Sequence, residues 1–128
     1  MKISKKTQYG LRAMVCLAKK YKSKQICSTK SISQIEGIPF DFLEKIVSLL
    51  EKADLVKGKK GIGGGYILAK NPNKITAKDI VEIFEKTNSV NCVLCGRSRK
   101  CLTKTVWGKI DEAFEKTLKS ITLKDLIS

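Results

Sequence analysis

Apolar residues along this chain recur mostly at helical spacing, broken once by a glycine-rich stretch. Tyr9, Ala13, Met14 and Leu17 predict a first helix over about 7–21. The lysine-rich turn Lys22-Ser23-Lys24 follows, and Ile26-Cys27 reads as a short extended piece. Ser28 and Thr29 offer N-caps and Gly37 a C-terminal stop, which predicts a second helix over about 29–36. Pro39 suits the first turn of a third helix, because its missing N–H costs nothing there. That helix runs to about Ala53, with Leu43, Ile46, Val47 and Leu50 at i, i+3, i+4 and i+7 forming one apolar stripe. Two helices joined by Gly37-Ile38 make a helix-turn-helix pattern.

From Leu55 to Leu68 the pattern changes. Apolar ends flank a centre of glycine and lysine, which reads as a β-hairpin with a basic tip. Asn71-Pro72-Asn73 is a turn. Thr76 and Asp79 have capping-box spacing and open a helix carrying Ile80, Ile83 and Phe84, with Asn88-Ser89 as its end. A long helix is expected from near Leu102, and Thr122 with Asp125 repeats the capping-box spacing before a last short turn. In the long helix Val106, Trp107, Ile110, Ala113, Phe114 and Leu118 cover more than one face. One small domain has too little interior for all of them, so this helix reads as a dimer seam, the alternative being a core helix. The expected fold is mostly α with a small β-hairpin: a winged helix-turn-helix over 1–86, a cysteine loop over 87–101, and a dimerisation helix with its C-terminal turn over 102–128.

Charge sharpens this picture. The 128 residues carry 26 Lys and Arg against 12 Asp and Glu, a formal +14. Such a surplus reads either as a solubilising surface or as a footprint for nucleic acid. The position of the lysines favours the second, because three of them fall in the glycine-rich hairpin directly after a helix pair. The early residues of the third helix, Phe40, Asp41, Phe42, Glu44 and Lys45, are placed to reach base edges in a major groove, where Glu44 can accept from a cytosine amine. Lys57, Lys59 and Lys60 suit phosphates or the adjacent minor groove. Gly58, Gly61, Gly63, Gly64 and Gly65 let the backbone approach DNA closely. The glycine run fails both nucleotide fingerprints: Tyr66 stands where a third glycine is wanted, and no Gly-Lys-Ser/Thr follows. No acid/base or nucleophile–base pair suggests catalysis. No apolar run is long enough for a membrane span or a signal peptide, so the expected location is cytoplasmic, with no membrane partner.

The five cysteines divide into two groups. Cys16 and Cys27 lie in apolar surroundings and read as buried packing residues. Cys92, Cys95 and Cys101 fall within ten residues, in a polar stretch with Arg97, Arg99 and Lys100, in a chain without histidine. Neighbouring cations lower thiol pKa and offset the charge of a bound metal centre. Three thiolates are a strong start for an iron–sulfur cluster. Structural zinc usually takes four protein ligands, so zinc is less favoured, and a metal-free oxidation switch of vicinal thiols is a third reading.

Several segments carry a more specific likeness. Tyr9-Gly10-Leu11-Arg12-Ala13, Phe42-Leu43-Glu44-Lys45-Ile46, Ala53-Asp54-Leu55-Val56 and Gly61-Ile62-Gly63-Gly64-Gly65-Tyr66 resemble the bacterial iron–sulfur regulator family typified by IscR and NsrR. Cys101-Leu102-Thr103, Trp107 and Ile121-Thr122-Leu123 match as well, so the resemblance runs the length of the chain. It implies a winged-helix homodimer on double-stranded DNA with a palindromic operator. It also implies a two-iron or four-iron cluster on Cys92, Cys95 and Cys101, base readers at Asp41, Glu44 and Lys45, and minor-groove insertion at Lys60. The chain departs from the family in four places. Only two residues separate Cys92 from Cys95. Lys104 stands where the IscR type has a histidine, Gln8 where the NsrR type has an acid, and Lys60 where arginine is common. The function expected is a DNA-binding transcription regulator that senses cluster status or a redox or nitrosative signal. The alternatives are a cluster-free repressor sensing thiol state or a partner protein, and a small iron–sulfur electron-transfer protein that binds no DNA.

Overall fold

The structure, a computed structural model, describes residues 2–85 and 102–128. Helix α1 (Lys5–Lys19) begins two residues before the expected start, because the Ser4 hydroxyl caps it by accepting from the Thr7 N–H at 3.3 Å. Helix α2 (Thr29–Glu36) is capped by Ser28 and closed by Gly37 in the left-handed region, as its sequence predicts. Helix α3 (Phe40–Lys52) starts one residue after Pro39, which is extended at the N-cap and accepts from the Leu43 N–H at 2.9 Å. Antiparallel strands β1 (Val56–Lys59) and β2 (Gly65–Leu68) form the hairpin, with Val56 opposite Leu68 and Lys59 opposite Gly65. Cys27 adds an isolated bridge to β2 by exchanging backbone hydrogen bonds with Tyr66 at 3.0 and 2.8 Å.

Pro72–Lys74 is a 3₁₀ turn capped by Asn71. Helix α4 (Ala77–Phe84) opens with a complete Thr76–Asp79 capping box. It ends earlier than expected, at Glu85, whose backbone is extended and whose side chain turns back to α1. One Glu85 carboxylate oxygen accepts from the Ser4 N–H and the Thr7 hydroxyl, both at 2.7 Å. The expected stop at Asn88-Ser89 lies outside the described residues. Helix α5 (Lys104–Ser120) and helix α6 (Leu123–Ile127) follow, the latter opened by the Thr122–Asp125 capping box.

The core forms where α1 packs against α3, α4 and α6. Met14, Leu17, Ile32, Ile38, Leu43 and Ile46 are fully buried there with Leu50, Ile75, Ile80 and Leu123. Each such side chain contributes on the order of 1.5–3 kcal/mol of apolar burial. The chain returns to this core after α5. Ala77 N–H donates to the Ile121 carbonyl at 2.8 Å, and Leu123 N–H donates to the Ile75 carbonyl at 2.9 Å. Helix α5 differs from the others in having no buried residue. Leu102 is 97% exposed, Val106 and Phe114 are exposed, and Trp107, Ile110 and Leu118 are covered only in part. Lys78 on α4 holds α5 through Glu115 at 3.0 Å, an exposed pair that adds little stability.

Candidate nucleic-acid interface

The connection between α2 and α3 is short and pinned. Gly37 turns the chain at φ +65°, Ile38 drops into the core, and Ile38 N–H donates to the Ser33 carbonyl at 3.1 Å. Arg12 braces the same corner from α1. Its guanidinium donates to the Glu36 carbonyl, lies 3.7 Å from the Glu36 carboxylate and covers the Tyr9 ring at 5.6 Å. The two helices are therefore held at a fixed angle, which is what presents α3 to a groove.

Burial of Leu43, Ile46, Val47 and Leu50 turns the opposite face of α3 outward. Phe40, Asp41, Glu44 and Lys45 all lie exposed on that face, and Ser48 and Lys52 extend it one and two turns further. Phe42 does not belong to it. Its ring is half-buried and meets Tyr9 edge-on at 5.5 Å, so it braces α3 against α1 instead of reaching bases. Nothing in the linear pattern distinguishes two aromatic residues one position apart in this respect. The linear pattern does not single out Ser48, because a small hydroxyl carries no signal of its own.

The hairpin stands beside α3 and is tied to it. Glu51, in the last turn of α3, accepts from the Gly58 N–H at 2.9 Å. A Cβ at Gly58 would lie 2.8 Å from that carboxylate oxygen and 3.1 Å from the Tyr66 ring, so a side chain there would push the Glu51 carboxylate aside. Burial pushes the Tyr66 phenol up, and Glu51 and Glu44 push it further. That places the Gly58–Tyr66 side of the hairpin toward α3. Alternation puts Lys57 and Lys59, paired with Ile67 and Gly65, on the other side.

Lys60 opens the tip. Gly61 and Gly63 follow at φ +98° and +75°, and neither would meet a neighbour if it bore a Cβ. Their positive φ is what lets the tip turn tightly. Between them Ile62 projects into solvent and is wholly exposed. Sequence reasoning passed over this residue because it sits inside a glycine run, yet an apolar tip beside lysine is suited to a minor groove.

Cys16 and Cys27 are buried, and burial is the main reason both thiols are pushed up. They are packing residues, as expected. Cys92, Cys95 and Cys101 lie outside the described residues. Among the described residues no group of three Cys, Asp or Glu side chains is placed to hold a metal ion. The Gln8 amide donates to the Ile3 carbonyl at 3.2 Å, and Lys104 is the exposed first residue of α5. Among the described residues no helix is long and apolar enough to cross a membrane.

Residues 3–128 match the family model Rrf2, described as an iron-dependent transcriptional regulator. The HTH-type transcriptional regulator CymR of Bacillus subtilis is 41% identical over 128 residues, covering 100% of this chain and 91% of that protein. The HTH-type transcriptional regulator IscR of Pectobacterium atrosepticum is 30% identical over 132 residues, covering 100% of this chain and 80% of that protein. Among solved structures, CymR of B. subtilis, described as its global cysteine regulator, superposes with a TM-score of 0.84 at 37% identity over 99% of this chain and 96% of that one. T. potens IscR superposes with a TM-score of 0.82 at 36% identity over 99% and 86%.

Proposed function

This chain belongs to the Rrf2 family of transcriptional regulators, and from that premise we propose that it acts as a cytoplasmic homodimer on a palindromic operator. It is a DNA-binding transcription regulator and not an enzyme. In the proposed complex the exposed face of α3 enters the major groove, with Asp41, Glu44 and Lys45 at base edges and Phe40 beside them. Lys60 enters the minor groove, the backbone at Gly61 and Gly63 comes close to the sugar-phosphate wall, and Lys57 and Lys59 meet flanking phosphates. The observation that carries this reading is the Glu51–Gly58 hydrogen bond, which fixes the basic hairpin relative to the polar face of α3. The exposed apolar residues of α5 support the dimer, because a second copy would cover them. Selection from random duplexes, followed by fluorescence anisotropy, tests it. Absence of any preferred two-fold sequence would overturn it.

The sensing group proposed is an iron–sulfur cluster on Cys92, Cys95 and Cys101. The donor set fits in kind: three closely spaced thiols with neighbouring cations, in a chain that has no histidine to favour another metal. When bound, the cluster would supply a centre whose redox or nitrosative chemistry biases the two reading heads. Two-iron and four-iron forms both suit three thiolates plus an exchangeable site.

A second reading is a cluster-free repressor that responds to thiol state or to a partner protein. Lys104 and Gln8 favour it, since an ammonium is no ligand and Gln8 offers only a neutral amide oxygen where the NsrR type has a carboxylate. The likeness to a protein described as a global cysteine regulator favours it too. Anaerobic purification with iron and sulfide analysis separates the two.

A further inference from the structure

The rear of the hairpin, the side turned away from α3, forms one wall of a groove of about 820 Å³. The C-terminal end of α1 and its turn form a second wall, and α6 closes the third side. Six lysines converge on this space from these three separate places: Lys19, Lys20, Lys22, Lys24, Lys57 and Lys124. No Asp or Glu side chain lines it, Ser128 with the terminal carboxylate lies at its edge, and among the described residues none of the six lysines is ion-paired. Leu17, Ile67, Pro72 and Ile127 give it an apolar floor, while Gln25 and Asn71 offer neutral hydrogen-bonding groups.

One of these lysines also sits on strained backbone. Lys24 is one of only two non-glycine residues with positive φ among those described, at φ +54°, where asparagine or glycine would be easier. Its N–H donates to the Tyr21 carbonyl at 3.0 Å, and Gln25 N–H donates to the Lys20 carbonyl at 3.3 Å. These two bonds hold the lysine turn in one conformation at the edge of the groove. The volume is that of a small-ligand site, and charge of one sign in a concave space concentrates counter-ions.

We propose that this groove is an effector site for a small anion carrying two or more acidic groups. Lysine ammonium groups act as point charges and do not demand planar bidentate geometry, so they accept phosphate or carboxylate. The apolar floor accommodates a carbon body between the acidic groups. Duplex DNA is the less suitable occupant, because apart from Lys57 the lysines stand on the end of α1, its turn and α6, and no residue of α3 lines the groove. Lys57 belongs to both the groove and the hairpin, and α6 follows directly from α5. A bound anion therefore touches the elements that set the wing and the proposed dimer helix. That consequence for DNA affinity rests on the reading of the wing given above, whereas anion binding does not.

The test is isothermal titration calorimetry of the full-length protein at low ionic strength, with sodium pyrophosphate in one series and citrate in another. The expected result is saturable binding at one site per chain for at least one probe, and the stronger probe identifies the acid. The variant Lys22→Ala/Lys24→Ala/Lys124→Ala should weaken it tenfold or more while keeping its helical circular dichroism. The variant Lys5→Ala/Lys6→Ala/Lys116→Ala removes the same charge elsewhere and should change it less than twofold. Non-saturable binding of both probes at millimolar concentration, or equal losses in the two variants, would overturn the proposal. So would a groove variant that, without any anion, loses as much operator affinity as Lys60→Ala, since its lysines would then be duplex contacts. The titration contains no DNA, so failure of the wing reading would leave its result unchanged.

Discussion

The Glu51 carboxylate and the Gly58 backbone N–H meet at 2.9 Å across the turn that separates α3 from the hairpin. One contact thus sets the orientation of the wing to the helix that reads bases. Glu51→Ala should lower operator affinity roughly three- to tenfold, in line with about 1 kcal/mol for one hydrogen bond. Glu51→Gln keeps an accepting oxygen and should restore most of the loss. Gly58→Ala displaces the same carboxylate, so the double variant Glu51→Ala/Gly58→Ala should lose less than the sum of its parts. Anisotropy titrations on one operator duplex measure all four.

At the wing tip two side chains should respond differently to salt. Lys60→Ala should weaken binding and reduce the slope of log affinity against log salt by about 1. Ile62→Ser leaves charge unchanged and should weaken binding without altering that slope, because the contact it removes is apolar. Affinity measured across a salt series separates the two, and unchanged affinity for both would remove the wing from the interface.

The outward face of α5 predicts a concentration-dependent assembly. Phe114→Glu puts a carboxylate into the proposed seam and should shift the protein to monomer in sedimentation experiments, with at least tenfold weaker binding to a two-half-site operator. Affinity for a single half-site should change little.

Glu85 gives the fold a pH dependence of definite sign. The Ser4 N–H, and after it the Thr7 hydroxyl, hold its carboxyl below the usual carboxylate range. A carboxylate with a depressed folded-state pKa stabilises the fold above its unfolded value and ceases to do so as pH falls through the depressed one. Glu85→Ala should therefore lower the thermal midpoint at neutral pH. The difference from wild type should shrink through the acid range. A difference that stayed constant down to the acid limit would show that the carboxylate charge plays no part.

Cys92→Ser, Cys95→Ser and Cys101→Ser should each reduce the iron and sulfide that copurify anaerobically. Cys16→Ala should leave them unchanged, because its thiol is buried and pushed up toward the neutral form. Colourless, iron-free wild-type protein after reconstitution would favour the cluster-free reading.

Periodicity and caps made most of the scaffold legible. Ser28, Gly37 and the Leu43–Leu50 stripe located α2 and α3, and Thr76 and Thr122 located α4 and α6, because each signal acts within four residues. Helix ends were displaced where a distant partner intervened: Glu85 leaves α4 to bind Ser4 and Thr7, more than 70 residues away. The exposed residues of α3 could be inferred from the buried stripe, but the Tyr9–Phe42 contact and the Glu51–Gly58 bond depend on how elements dock. The lysine groove was illegible for the same reason. Its walls come from residues near 20, 57, 70 and 124, and only the folded chain brings them together.

The paired backbone bonds from Ala77 to Ile121 and from Leu123 to Ile75 fasten α5 at its C-terminal end only a step from the core. Seventeen residues of helix then extend from that fastening, a rod of about 25 Å. A tilt of roughly 10° about this hinge would carry the Lys104 end some 4 Å, as rod length and angle require. The clasp at Ile121 and Leu123 thus acts as a fulcrum, and α5 turns a small rotation there into a larger displacement at Lys104.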